Sequence, residues 1–298
     1  MTGRGSAFAR VALAGNPSDG YGGRTLAVVI RDFAAQAQAE PAGSDEVVVP
    51  GEGGEALMRA TLARFRDRIG EAAPVRLSCE TSVPREVGLA GSSAIVIACA
   101  RALCDLHRAQ LELDELARLA LAVESEDLGI AAGLQDRMVQ ARETLVAMDF
   151  GGHPVYEELD PELLPPLFVA WHPEAAAPSG LAHGELRRRH EQGEPEVTAT
   201  MERLAAHAAS ARQALLERDH ATFAGCVNAS FDERLRIMHV DELTAAMVEA
   251  ARAAGASANS AGSGGAIVGT LPDAEIWARL RDALERLGAS AIRPRTAG

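Results

Sequence analysis

The sequence predicts an α+β fold whose halves are fused across one cleft, and three observations carry that reading. Strand-like segments crowd the first third of the 298 residues, helical periodicity fills the middle, and two glycine-rich stretches lie far apart. No repeat or low-complexity linker separates two autonomous units. Residues 7–14 (AFARVALA) and 24–31 (RTLAVVIR) read as strands around a glycine-rich turn, Gly15 to Gly23. Residues 45–49 and 75–81 read as further strands, with a helix over 54–70 between them. In LSCETSVP the apolar positions alternate through Leu77, Cys79 and Thr81, as on a half-buried strand.

From Ser92 to His107 the period changes to helical, and a second helix covers roughly 113–125. Residues 129–139 form a glycine-bearing segment leading into a helix. Strands follow at 144–150 and 167–171, with DPELLPP a loop between them. Residues 197–254 are helical and rich in Ala, Glu and Arg, and Gly255 ends them before the second glycine-rich stretch, ASANSAGSGGAIVGTL. An amphipathic helix at 273–287 and a strand-like tail at 289–293 complete the chain.

Composition narrows the function. Hydrophobic residues make up 47% and charged residues 24%, ordinary for a globular protein, while only 2 Trp, 2 Tyr and 7 Phe leave the core to Ala, Leu and Val. A net charge of −13 argues against a nucleic-acid surface or a polybasic membrane anchor, which need excess positive charge. All 29 basic residues are arginine. A Walker A loop, a protein-kinase phosphate lysine and a Schiff-base mechanism are therefore excluded, since each requires lysine. The four cysteines form no C-x-x-C pair, and Cys99 and Cys104 fall in one apolar helix, as buried reduced thiols do. No apolar run of the ~20 residues needed to span a bilayer occurs, and nothing before Gly15 reads as a secretory signal, so a cytoplasmic location is expected.

Three loops carry the chemistry. In the second, V-G-L-A-G-S-S-A (Val87 to Ala94), Gly88 and Gly91 let backbone approach a ligand. Ser92 and Ser93 stand where a helix begins and its unpaired N–H groups attract an anion. Simple capping by either serine explains the same residues equally well. The first loop, G-N-P-S-D-G-Y-G-G (Gly15 to Gly23), has strong turn chemistry but is longer than a hairpin needs. Asn16, Asp19 and Tyr21 give it polar groups for a sugar or polyol. In the third, S-A-G-S-G-G-A (Ser260 to Ala266), Gly264 and Gly265 can turn successive N–H groups into a nest for an anion.

The three loops, in this order, resemble those of the GHMP kinase superfamily, the galactokinases, homoserine kinases, mevalonate kinases and phosphomevalonate kinases. The features are Arg10 before GNPSDGYGG, the Gly-Leu-x-Gly-Ser-Ser-Ala loop at Gly88, Leu89, Gly91, Ser92, Ser93 and Ala94, and Gly262 to Gly265 near the end. The segments GNPSDGYGGRT, LGIAAGLQDRMVQ (128–140), SGLAHGELRRR (179–189) and AGSGGA are most similar to plant-type glucuronokinases. The resemblance implies two lobes around one cleft. Residues 1–150 would be an N-terminal, ribosomal-protein-S5-like lobe carrying the phosphate loop 87–94. Residues 151–298 would be a C-terminal, ferredoxin-like lobe carrying the loop 260–266.

It also implies ATP as co-substrate, Mg²⁺ as metal, a small sugar or sugar acid as acceptor, and a monomer or homodimer with no nucleic-acid or membrane partner. Gly88, Leu89, Ala90, Gly91, Ser92 and Ser93, with Gly262, Ser263, Gly264 and Gly265, would hold ATP. Ser93 and Glu124 would hold the metal. Asp136 would take the proton from the acceptor hydroxyl, with Arg10 beside it keeping it ionised; Arg10 itself stays protonated and cannot be the base. The bland alternative for Asp136 is a helix N-cap. Asn16, Asp19 and Tyr21 would grip the sugar. A uronate carboxylate needs a cation, for which Arg187 and Arg189 come first and Arg234 is the reserve. Glucuronate 1-phosphate is the implied product. A neutral sugar, a mevalonate-like alcohol and a non-catalytic sensor are the alternatives.

Overall fold

The computed structural model describes residues 2–49, 54–70, 73–175 and 179–297. The chain divides into two compact units, Met1–Ala9 with Arg31–Val83 and Ala90–Glu143, and Arg10–Ile30 with Pro84–Leu89 and Thr144–Gly298. The units interleave along the chain and their last crossing falls between Glu143 and Thr144, whereas the sequence reading divides the chain once, after residue 150.

The first unit holds the leading half of β1 (Gly3–Ala14), the trailing half of β2 (Arg24–Pro41), β3 (Glu46–Val48) and β4 (Val75–Thr81). β3 runs parallel to β4, and β4 runs antiparallel to β2 with Ala37 opposite Cys79. Its helices are α1 (Gly54–Ile69), α2 (Gly91–His107), α3 (Leu113–Ala122) and α4 (Gln135–Arg142), with one π-helical turn at Val123–Asp127. β2 is ten residues longer than its sequence suggested, because Ala35, Ala37 and Ala39 alternate inward with outward Gln36 and Gln38. Alanine is a weak strand former, so the period-2 pattern was easy to pass over.

Close approach of α2 to β1 depends on small side chains. Ala94, Ala98 and Ala102, four residues apart, are fully buried on one face of α2. A Cβ on Gly5 would lie 2.2 Å from the Ala98 carbonyl oxygen, and one on Gly3 2.2 Å from that of Ala102. No L side chain fits either position.

The second unit pairs the first half of β2 with β5 (Leu145–Asp149), and β5 with β6 (Val155–Leu159), all antiparallel. β6 was absent from the sequence reading. A second antiparallel sheet has the order β10 (Ser290–Ile292), β7 (Leu167–Trp171), β9 (Ala266–Thr270), β8 (Asn259–Ser260). Helices α5 (Ser179–Glu191), α6 (Pro195–Leu216), α7 (His220–Ile237), α8 (Glu242–Ala253) and α9 (Ala274–Arg286) complete it.

Asp219, Asp241 and Asp273 start α7, α8 and α9, each accepting a hydrogen bond from the backbone N–H three residues on. Phe168 and Ile267 of the second sheet bury against Met247, Ala251, Leu280 and Leu284 of α8 and α9. The four cysteines are free thiols. No helix among the described residues is long and apolar enough to cross a membrane.

The tight β1–α2 contact generates a prediction. Gly5→Ala should lower unfolding free energy by about 2 kcal/mol or more, because α2 must lift off the strand. Urea denaturation measures it, and an unchanged midpoint would mean that the strand and helix have slack.

Candidate active site

Candidate residues fall in both units. In the first, α2 begins after Ala90, whose left-handed backbone (φ 60°) makes it the N-cap, and no side chain caps the helix start. Ser92 and Ser93 therefore lie inside the first turn, not at the cap, and the simple capping reading is removed for both. Adjacent helical residues point about 100° apart, so the two hydroxyls have different partners. Ser92 Oγ donates to Glu124 Oε1 at 2.6 Å. Ser93 Oγ donates to Gln140 Oε1 at 2.6 Å, and Gln140 Nε2 donates to the Phe8 and Ala90 carbonyls at 2.8 and 2.9 Å.

The two serines of the expected nucleotide and metal sites thus part ways, and Ser93 is not hydrogen-bonded to Glu124. Ser93 is fully buried and its hydroxyl serves the α2–α4–β1 packing; the serine that accompanies Glu124 is Ser92.

Glu124 sits in the π-helical turn and has no exposed surface. Its second oxygen, Oε2, accepts from Arg137 Nε at 2.8 Å and from a terminal nitrogen of the same guanidinium. The other terminal nitrogen, Nη1, donates to the Gly133 carbonyl at 2.8 Å and to Asp136 Oδ2 at 3.4 Å. One arginine thus bridges both candidate carboxylates. Asp136 is the second residue of α4, whose N-cap is Leu134, so the N-cap reading of Asp136 also falls. Its side chain is 22% exposed, against 0% for Glu124, and only Asp136 is open to a reacting molecule.

Oε1 of Glu124 takes a single hydrogen bond, and Ser92 Oγ retains its lone pairs. That hydroxyl–carboxylate pair suits a hard divalent cation, which takes one or two protein oxygens and fills the rest with phosphate and water. No group of three or more His, Cys, Asp or Glu residues among the described ones can hold a metal alone.

In the second unit Arg10 ties two loops together. Its Nη1 donates to the Gly88 carbonyl at 2.8 Å and to the Ala261 carbonyl at 2.7 Å, and its backbone N–H donates to the Leu89 carbonyl at 3.3 Å. The loops meet closely enough that a Cβ on Gly262 would lie 2.2 Å from the Gly88 oxygen. Gly88, at φ 78°, faces Ser263 and Gly264. The Gly265 N–H donates to Thr244 Oγ1 at 3.1 Å, so the nest expected at Gly264–Gly265 has one of its two donors already engaged.

The first loop contains a 3₁₀ turn at Ser18–Tyr21. Tyr21 packs on His190 with ring centroids 4.5 Å apart and against a cluster of Leu186, Met201, Leu204 and Ile237. Burial raises the Tyr21 phenol pKa, Arg187 opposes that, and Asp19 and Glu191 add to it. Asn16 is buried, and its Oδ1 has no hydrogen-bond partner.

Residues 179–189 form most of α5. Arg187 is exposed there. Arg189 donates from Nε and Nη2 to Glu194 at 2.8 and 2.6 Å and from Nη1 to the Ile237 carbonyl at 2.7 Å. That fork is used internally. Arg234 is different: it is 2% exposed, and Nε has no partner.

Comparison with known proteins gives the family. Residues 56–143 match the GHMP kinases N terminal domain. Glucuronokinase 1 of Arabidopsis thaliana is 34% identical over 96% of this chain and 90% of its own length. The chain belongs to the GHMP kinases. Probable glucuronokinase 2 of the same plant is 35% identical over 96% of this chain and 89% of its own. The fold of this GHMP kinase is also that of Lactococcus lactis galactokinase complexed with galactose, with a TM-score of 0.88 at 16% identity over 99% of this chain and 94% of that one. L. major mevalonate kinase superposes with a TM-score of 0.79, at 16% identity over 100% and 98% of the two chains.

The two serines should separate experimentally. Ser92→Ala should weaken Mg²⁺-dependent nucleotide binding about 10-fold or more through loss of an ion ligand. Ser93→Ala should instead lower stability by about 1–3 kcal/mol, because Gln140 Oε1 is left buried and unpaired. Calorimetric titration and urea unfolding of both variants measure this, and the reverse assignment of losses would return Ser93 to the metal.

Proposed function

We propose that this GHMP kinase transfers the γ-phosphoryl group of ATP to the anomeric hydroxyl of glucuronate, giving glucuronate 1-phosphate. The observation that carries the reading is the near-full-length identity with Arabidopsis glucuronokinase 1. The arrangement of charge in each unit supports it. Phosphoryl transfer asks a protein for positioning and electrostatic stabilisation, with little covalent work.

The uncapped start of α2 offers backbone N–H groups and the positive dipole end to the nucleotide phosphates. Gly88, Leu89 and Gly262 to Gly265 bring backbone close without side-chain interference. Ser92 and Glu124 would hold Mg²⁺, which when bound shields the β- and γ-phosphate charge. Asp136, the exposed member of the Arg137-bridged pair, accepts the proton of the acceptor hydroxyl at a carboxylate oxygen as the phosphorus arrives. Arg10 supplies fixed positive charge for the transferring phosphate and holds the loop at Gly88 to that at Ala261. Its guanidinium cannot release a proton at neutral pH, so it takes no part in acid–base transfer. Asn16, Asp19 and Tyr21 contact the sugar.

An ADP-release assay across glucuronate, galactose, glucose and mevalonate tests the acceptor. Glucuronate should be preferred over the neutral sugars in kcat/KM by about 100-fold, the discrimination of a site built for a charged partner. Equal use of all of them would end the sugar-acid reading. Asp136→Asn should lower kcat by about 100- to 10,000-fold and leave nucleotide affinity unchanged. Near-wild-type turnover would remove Asp136 from the chemistry.

A further inference from the structure

Arg234 is the largest side chain sealed inside this protein. Its side chain makes no hydrogen bond or ion pair among the described residues, and its Nε is enclosed without a partner. Burial pushes its pKa down to about 10, Arg10 adds to the effect by repulsion, and Asp19 opposes it. The guanidinium therefore stays charged at neutral pH in a place where charge is costly. Buried guanidinium groups are ordinarily held by hydrogen bonds. Among the described residues Arg234 has the charge of Asp19 nearby but no hydrogen-bonded acceptor, which leaves its fork able to take an anion.

The register of α7 places Arg234 on the helix face beside the first loop. Ser230 and Arg234 are four residues apart and share a helix face. Ser230 Oγ accepts from the backbone N–H of Gly15, the residue that opens the first loop, at 3.4 Å. The acid that Arg234 feels, Asp19, belongs to that same loop. Asn16, one residue from Gly15, has a buried Oδ1 with no donor. The loop and the helix face beside it thus contain one orphaned acceptor and one orphaned cation. A sugar acid has a group for each, a hydroxyl for Asn16 and a carboxylate for Arg234. Phosphate is less suited to Arg234, since the second and third loops converge on Arg10 instead.

We infer that Arg234, not Arg187 or Arg189, binds the carboxylate of the substrate, with Asn16 accepting one of its hydroxyls. The inference rests on the sugar-acid reading above and locates its specificity. The guanidinium fork receives both carboxylate oxygens, and a neutral sugar leaves it unpaired. The protein then keeps a buried charge that only the acidic substrate relieves.

Arg234→Met, similar in length and uncharged, tests this by two independent readouts. In thermal denaturation without ligand the variant should be at least as stable as the wild type, because an uncompensated charge is gone. Saturating glucuronate should raise the wild-type Tm more than galactose does, and in Arg234→Met that difference should vanish. In kinetics, kcat/KM for glucuronate should fall about 30-fold more than that for galactose, with the affinity for a non-hydrolysable ATP analogue unchanged. Equal losses for both sugars, or a matching loss of nucleotide affinity, would overturn the inference. Arg234→Lys, which keeps the charge without the fork, should recover part of the glucuronate shift; the same shift in Lys and Met variants would overturn it too.

If the wild type does not phosphorylate glucuronate, thermal shifts by galacturonate and mevalonate against neutral counterparts separate the two claims. An acid-specific shift lost in Arg234→Met supports the carboxylate subsite whatever the reaction. Absence of any acid-specific shift overturns it.

Discussion

Burial of Glu124 is the constraint around which the first unit is arranged. A carboxylate with no exposed surface must be fully partnered, and Ser92 and Arg137 share that task. Removing one side of such a pair costs about 3–5 kcal/mol, because the other charge is left behind. The three residues come from the first turn of α2, the π-helical turn and the first turn of α4, so their contacts fix those three starts to one another. Asp136 precedes Arg137 in the chain, and its carboxylate meets the same guanidinium. The π-turn departs from α geometry and turns Glu124 inward while Ser125 and Glu126 remain exposed.

A chain without lysine must do all its cationic work with arginine, and the buried and half-buried arginines divide that work by geometry. Arg137 spends its fork on two carboxylates and a carbonyl. Arg10 spends one nitrogen on two loop carbonyls. Arg101 is held by Glu143 and by the carbonyls of Ser6 and Ala141. Each planar fork fits several acceptors in fixed directions, which a flexible ammonium does not. The more exposed pairs, such as Arg59–Glu55 and Arg68–Glu115, contribute little to stability by comparison. Arg234 stands apart because, among the described residues, no acceptor is hydrogen-bonded to its guanidinium.

Much of this was legible in the residues. The alternation of Leu77 and Cys79 and the helical spacing from Ser92 each state a local preference that the fold keeps. Residues 197–254, read as one helical stretch, are instead broken before Asp219 and Asp241 into α6, α7 and α8. Three ordered loops point to the family from the sequence alone. What failed did so for identifiable reasons. Ser92 and Ser93 are neighbours in the chain, and only the start of the helix decides which faces Glu124. α5 was hidden by Gly180, Gly184 and two histidines, residues of modest helix propensity. β6 hides its alternation in VYEEL, with two acids at its centre. Arg187 and Arg189 lie in the SGLAHGELRRR motif, whereas burial without a hydrogen-bonded acceptor, the property that singles out Arg234, depends on packing and has no signature in the local sequence.

The central claim is that these charges serve phosphoryl transfer to a sugar acid at its anomeric carbon. Phosphorus NMR of the protein incubated with MgATP and glucuronate tests it most directly, since the coupling of phosphorus to the anomeric proton reports the site of attachment. The account predicts one sugar 1-phosphate resonance growing in step with ADP. A resonance coupled to a different ring proton, or inorganic phosphate in place of any sugar phosphate, would contradict it.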